Sequence, residues 1–464
     1  MPVNSFENYP MNWKPNIKNL KPPIYKSLAK QLEIDIQNGI LHPGDLLPPQ
    51  RELADFLDLN LSTVTKAFKL CSQKGLISSN IGRGTYVSSD VQVNSTLLDP
   101  LSAAGLIELG AIYPDRAFDD CIQSLFTNFI KNKKLSPLLG YMPPSGTPYQ
   151  KNIGVKWLSL CHVKSAPENI LLANGGQNAL CVILASLFQP GDRIGTDPLT
   201  FSGIKTLAKM LHIQLIPIPN DDNEEPLSPE YLEQYCKTEG LKGLYVIPDF
   251  QNPMTYCMSL KRREELAQIA KKYNLIVIED AINSLLSPQP PTAIASILPK
   301  QTLYVSSFSK VICPGLQIAF IHTPLQYKAA LETGLYNVNL MVSPINAEFA
   351  CSLILSPNCE HILTKRRELT ILRNQVVDSI LGNYKLLGAP ECNFRLLHLP
   401  KEWTGKDFER AASQSGVQVY CGERFAVGSS MVPAVIRLSI TSPKTIQELE
   451  KALYILRNLL YTNP

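Results

Sequence analysis

The chain lacks any pair of cysteines at the two-residue spacing of a redox or zinc motif. Its 11 cysteines are odd in number and scattered from Cys71 to Cys421, which argues against a disulfide framework or a metal centre and suits a reducing cytoplasm. No uninterrupted apolar run of ~18 residues occurs, so no membrane span is expected. The opening Met1-Pro2-Val3-Asn4-Ser5-Phe6-Glu7 has neither the basic nor the apolar part of an export signal. There is no internal repeat. Charge of one sign is scarce too: charged residues make up 18% and the formal net charge is +4, a bias that neither demands nor forbids a polyanionic partner. What is present is apolar mass. A 464-residue chain that is 45% hydrophobic can fill two or three domain cores.

Residues 1–21 carry prolines, asparagines and lysines without apolar period and read as a flexible arm. From residue 22 to 88 the pattern changes. Ile24, Leu28, Leu32 and Ile36 recur at helical spacing, and Gly39 stops that helix. A turn at His42-Pro43-Gly44-Asp45 leads to a second helix over Gln50–Leu57. A third runs from Ser62, its expected N-cap, to about Gln73. Two short strands, Leu76-Ile77-Ser78-Ser79 and Thr85-Tyr86-Val87, flank the turn Ile81-Gly82-Arg83-Gly84. Three helices and a two-stranded wing make a winged helix-turn-helix. The small, polar residues 89–105 are a linker.

The motifs Pro43-Gly44-Asp45, Leu47-Pro48, Arg51-Glu52-Leu53-Ala54, Thr63-Val64, Gly75-Leu76 and Gly82-Arg83-Gly84-Thr85 resemble the GntR family of bacterial DNA-binding domains. The resemblance implies that the third helix enters the major groove of double-stranded DNA, its N-terminal residues Ser62 and Thr63 at base edges. Arg51 and Lys66 would hold phosphates, and Arg83 on the wing would reach the backbone or minor groove. One departure stands out. Relatives usually carry an arginine near the start of the recognition helix; here that place is Leu61, which either reads a thymine methyl or packs.

Residues 106–464 alternate apolar strands with amphipathic helices, the pattern of an α/β domain with a mostly parallel sheet. From about Arg366 a long helix, short strands near Phe394–Leu397 and Val435–Ile440 and a closing helix suggest a smaller α+β subdomain. Five stretches sit at strand ends. Asn174-Gly175-Gly176-Gln177 opens a helix, where backbone amides attract a phosphate. Asp197-Pro198-Leu199-Thr200-Phe201 places an aromatic that can stack on a planar ring. Pro248-Asp249-Phe250-Gln251-Asn252 offers a side-chain amide. Ile278-Glu279-Asp280 leaves a carboxylate at the end of a buried strand, costly unless paired. Ser306-Ser307-Phe308-Ser309-Lys310 sets hydroxyls around one lysine, whose desolvated amine can attack an aldehyde to form a Schiff base.

In this order the set resembles the fold-type I aminotransferases, which use pyridoxal 5′-phosphate. The resemblance implies that Gly175, Gly176, Gln177, Ser307 and Ser309 hold the phosphate and that Phe201 stacks on the ring. It further implies that Asn252 reaches the phenolic oxygen, that Asp280 pairs with the pyridine nitrogen, and that Lys310 is the Schiff-base lysine. Arg437, in Val435-Ile436-Arg437-Leu438-Ser439, matches the arginine that grips a substrate carboxylate. No metal is implied. A GntR-type winged helix followed by such a domain is similar to the MocR subfamily of transcription regulators. Two places depart from the pattern. Ile282 stands where a tyrosine usually bonds the cofactor's phenolic oxygen, and Gln317 where an arginine usually binds the phosphate. Loss of one charge-assisted contact costs roughly 1.5–3 kcal/mol, tenfold or more in affinity. The expectation is a cytoplasmic, ligand-responsive regulator that binds operator DNA and senses pyridoxal phosphate or an amino compound, with at most weak transaminase half-reactions. The alternative is an aminotransferase with an accessory DNA-binding domain. A homodimer is expected, with Tyr141 crossing to the neighbour's site.

Overall fold

The computed structural model describes residues 11–15, 21–80, 84–88, 105–221, 225–428 and 430–461. Arg83 and all but the last residue of the linker expected over 89–105 lie outside the described residues.

The first unit contains α1 (Ile24–Gln37), α2 (Gln50–Phe56), α3 (Leu61–Gln73) and an antiparallel wing of β1 (Ile77–Asn80) and β2 (Gly84–Val87). Leu28, Leu32 and Ile36 of α1 are buried against Val64, Ala67 and Phe68 of α3, one apolar stripe meeting another. Gly39 follows α1 with φ 72°, a left-handed backbone that glycine adopts without penalty. Two expectations need correction. Ser62 is not the N-cap of α3. The cap is Asn60, whose Oδ1 accepts the Ser62 amide at 2.9 Å, because an Asn side chain reaches the amide two residues on. The stretch read as an arm also holds a core residue. Trp13 is 3% exposed and its indole N–H donates to Asp35 Oδ2 at 2.8 Å, so residues 11–15 dock on α1.

The second unit starts with β3 (Ile107–Glu108) and continues through β4 (Ile170–Ala173), β5 (Arg193–Thr196), β6 (Gln214–Pro217), β7 (Gly243–Val246), β8 (Ile276–Asp280), β9 (Thr302–Ser307) and β10 (Ala319–His322). The seven strands from β4 to β10 form one sheet in the order β4-β10-β9-β8-β7-β5-β6. β10 runs antiparallel to both neighbours and the other pairs are parallel. β4, β7, β9 and β10 are buried along their whole length, as strands covered on both faces must be.

A smaller antiparallel sheet follows, with strand order β11 (Leu386–Leu387), β12 (Phe394–His398), β15 (Val435–Ser439), β14 (Tyr420–Cys421). Helices Pro357–Leu381, Gly405–Gln414 and Ile446–Tyr461 share its core. β3 pairs in parallel with β13 (Val417–Gln418), so the first strand of the second unit belongs to its last subdomain. The winged helix rests on the free edge of the large sheet. Gln214 Nε2 of β6 donates to the Ser72 carbonyl at 3.2 Å, and a cleft open to solvent runs between them, lined by Lys74, Arg193 and Lys209 among others.

Candidate cofactor site and DNA-facing helix

The parallel strands deliver their carboxyl ends to one edge of the sheet, and helix N-termini open there. After β4 the chain turns through Gly175 into helix Gly175–Leu187. Gly175 has φ 82°, a left-handed conformation that requires glycine, and a Cβ there would stand 2.8 Å from the movable end of Gln317, its Oε1. A Cβ on Gly176 would lie 3.4 Å from Ile282 Cγ2 and 3.7 Å from Ser307 Cβ. The glycine turn, the lysine loop and the two departing residues therefore meet at one place. Gln177 Nε2 donates to the Gly203 carbonyl at 3.1 Å, while its Oε1 is buried without a partner. The Phe201 ring closes on the same Gly203.

Asp280 ends β8 and is 1% exposed. Its Oδ2 accepts the Tyr245 hydroxyl at 2.6 Å, and its Oδ1 has no hydrogen-bond partner. Burial pushes its pKa up to about 6, against the pull of Tyr245, the nearby Ile282 amide and Lys310. The half-buried Lys310 donates its amine to the Ile112 carbonyl at 2.7 Å. Its pKa falls to about 8, first through burial, then through repulsion by Arg437, with Asp280 opposing. Ser307 Oγ donates to Ser309 Oγ at 3.2 Å or to the Ile318 carbonyl at 3.3 Å, and it accepts the Ser309 amide at 3.2 Å, bonds that hold the lysine loop against β10.

Arg437 lies within β15 and is 4% exposed. It donates to Asn252 Oδ1 at 2.7 Å and to the Gly110 carbonyl, and its Nε has no partner. The rings of Phe425 and Tyr420 face it at 4.8 and 5.4 Å. Burial lowers its pKa to about 10. A buried guanidinium bonded only to neutral oxygens is poised for a carboxylate. With Oδ1 turned to Arg437, Asn252 keeps Nδ2 to donate.

The site thus brings together Gly175, Gly176, Gln177, Phe201, Asn252, Asp280, Ser307, Ser309, Lys310 and Arg437. Four contributors were not read from the sequence. Tyr245, inside a buried strand, is indistinguishable from core until its hydroxyl is seen on Asp280. Tyr256 donates to Asp197 Oδ1, whose pKa burial raises to about 7. The Ile112 and Gly110 carbonyls come from a segment without any motif. Tyr141 is 86% exposed and touches none of this.

On α3, Leu61, Ser62, Thr65, Lys66 and Lys69 share one exposed face, and Thr63 is half-buried. Leu61 is 39% exposed, so it does not pack into the core. Arg51 is exposed at the second position of α2, and Thr65 Oγ1 donates to Gln50 Oε1 at 2.9 Å, tying the two helices. Lys69 was not anticipated; its spacing of eight from Leu61 puts it on the same stripe.

Among the described residues no helix is long and apolar enough to cross a membrane, and no His/Cys/Asp/Glu cluster could hold a metal. Residues 112–453 match the family model for aminotransferase class I and II, and residues 24–87 match that for bacterial regulatory proteins of the gntR family. The chain is 47% identical to the HTH-type transcriptional regulator YdeF of Bacillus subtilis over 99% of both chains. It is 26% identical to the vitamin B6 salvage pathway transcriptional repressor PtsJ of Salmonella typhimurium, over 89% of this chain and 93% of that one. It is 24% identical to the pyridoxine biosynthesis transcriptional regulator PdxR of Corynebacterium glutamicum, over 77% and 78%. Among solved structures, an archaeal alanine:glyoxylate aminotransferase superposes with TM-score 0.71 at 22% identity, covering 84% of this chain and 98% of that one. The α-aminoadipate aminotransferase LysN of Thermus thermophilus gives TM-score 0.71 at 20% identity, covering 80% and 96%.

Proposed function

The chain belongs to the aminotransferase class I and II family, with a gntR-family domain ahead of it, and from that premise we propose that it is a cytoplasmic transcription regulator whose aminotransferase-like domain binds pyridoxal 5′-phosphate and senses it or an amino compound. The observation that carries the proposal is the unsatisfied Asp280 Oδ1 beside the depressed amine of Lys310. A buried carboxylate oxygen without a donor is costly, and a protonated ring nitrogen would supply one. The donor set fits the group. The glycine turn and the open helix N-terminus suit its phosphate, Phe201 its ring, and Lys310 its aldehyde.

When bound, the cofactor supplies an aldehyde that condenses with primary amines. The chain's own residues do the rest. Asp280, held by Tyr245, keeps a proton at the ring nitrogen. Lys310, part neutral near pH 8, presents its amine. Arg437 orients an incoming carboxylate, which gives amino acids an advantage over simple amines. Ser62, Thr63 and Leu61 face base edges, with Arg51, Lys66 and Lys69 on phosphates. Names of the relatives support the vitamin connection, since PdxR and PtsJ are described by pyridoxine biosynthesis and vitamin B6 salvage. A homodimer suits the reading: Leu139 and Tyr141 are 75% and 86% exposed on one loop, which would carry Tyr141 to the neighbour's site.

The test is the affinity of full-length protein for duplexes selected from a random pool, measured with and without cofactor and amino acids. Ligand must change that affinity at least threefold; equal affinities across all conditions contradict the proposal. If an amino acid plus a keto acid drives many turnovers, the chain is instead an aminotransferase with an accessory DNA-binding domain.

A further inference from the structure

Helix Pro357–Leu381 buries two arginines, at 366 and 373, and half-buries a third at 367. Two of them are satisfied. Arg373 Nε donates to Asp115 Oδ2 at 2.6 Å and its Nη1 to the Ile440 carbonyl at 3.1 Å. Arg367 gives Nε and Nη2 to the Leu285 carbonyl at 3.1 and 2.9 Å. Arg366 is different. It is 7% exposed, and both its Nε and its Nη1 are buried without a hydrogen-bond partner. The Phe118 ring, 5.7 Å from its guanidinium carbon, covers it in part.

Beside Arg366 lies a small pocket behind the lysine loop, with about 290 Å³ of empty space including its open mouth. Arg366, Arg367, Thr370, Asn393, Asp115 and Lys310 line it, with Leu285, Leu286, Val311 and Leu363 closing the sides. Three of the lining residues are cations and one is an anion, and that anion, Asp115, is already bonded to Arg373. Asp119, the other carboxylate acting on Arg366, is exposed and screened by water. Buried charges are normally paired, and a guanidinium that leaves two N–H groups unused inside the protein carries a penalty that an anion would remove.

We propose that this pocket is a binding site for a small monovalent anion, a halide or a carboxylate of formate size, held by Arg366. The pocket is also wired to the lysine. Thr370 Oγ1 donates to Asn393 Oδ1 at 3.3 Å, and Asn393 Nδ2 donates to the Lys310 carbonyl at 3.5 Å, so an occupant would steady the loop that carries the amine.

The test uses the full chain without cofactor, so its outcome is independent of the proposed function. Unfolding midpoints are compared in sodium chloride, bromide, formate and gluconate at one ionic strength, gluconate being too large to enter. The expected result is a midpoint roughly 1–3 °C higher in halide or formate than in gluconate, a difference that vanishes in Arg366→Met. A response to formate without halide still supports the site and assigns its ligand to carboxylates. Equal midpoints in all four salts, or an anion response that survives Arg366→Met, would overturn it. Should Arg366→Met fail to fold, wild-type crystals grown in bromide and in formate decide: an anomalous bromide peak or formate density within hydrogen-bond reach of the Arg366 guanidinium is expected, and the absence of both refutes the site.

Discussion

Lys310 shows how one side chain's surroundings become a rate. An amine with pKa near 8 is about one-tenth neutral at pH 7 and mostly neutral at pH 9. Only the neutral form attacks an aldehyde. Capture of pyridoxal phosphate by the cofactor-free protein is therefore expected to speed up roughly tenfold from pH 6 to 7 and about fivefold from pH 7 to 8, and to level off above. Stopped-flow absorbance checks this, and a flat profile would contradict the desolvated amine. The departing residues give the complementary test. Gln317 Oε1 lies against Gly175, so Gln317→Arg places a cation over the phosphate cup, and Ile282→Tyr offers a hydroxyl beside Ser307. Each should tighten cofactor binding by about tenfold in an equilibrium titration. These residues were legible in the sequence because strand ends, glycines and a lysine among serines mark themselves. Tyr245 and the carbonyl of Ile112 were not, since a strand tyrosine and a backbone oxygen acquire their roles only through contacts distant in sequence.

At the scale of elements, α3 and the segment ahead of α1 make separate demands. Leu61 opens the recognition helix as an exposed apolar side chain where the groove is polar. Only a thymine methyl rewards such a group in the major groove. Replacing the facing thymine by uracil should weaken binding several-fold, and Leu61→Ala should abolish that discrimination; equal loss in both proteins would exclude Leu61 as the reader. Trp13 stabilises the winged helix by burying its ring and satisfying Asp35. Trp13→Ala should cost about 3 kcal/mol of that unit's stability, read from a denaturant midpoint. Neither Trp13 nor the Asn60 cap stood out in the sequence. A lone tryptophan in a polar stretch has no period to betray its docking, and Asn60 and Ser62 are equally good capping residues until the helix start is known. The alternation of strands with helices was readable, by contrast, because strands such as β4, β7 and β10, buried on both faces, need nearly continuous apolar runs.

The whole molecule places a DNA reader on the free edge of a cofactor-binding sheet. The seat joins Gln214 of β6 to the Ser72 carbonyl near the end of α3, and it leaves the stripe of Leu61, Ser62, Thr65, Lys66 and Lys69 exposed. A change at the sheet's ligand edge can reach the DNA reader only if the two arrangements of that seat differ in ligand affinity. The pairing of β3 with β13, between residues about three hundred positions apart, shows why such organisation escapes a linear reading: two-residue strands carry no pattern of their own. All of this depends on Lys310 and Asp280 enclosing a space that takes a pyridine ring. The most direct measurement is an absorbance titration of the purified full-length protein with pyridoxal phosphate, beside Lys310→Ala and Asp280→Ala. The account predicts a new, saturable absorbance band of the bound cofactor in the wild type, absent from Lys310→Ala and weakened or shifted in Asp280→Ala. No band in the wild type, or the same band in Lys310→Ala, would contradict it.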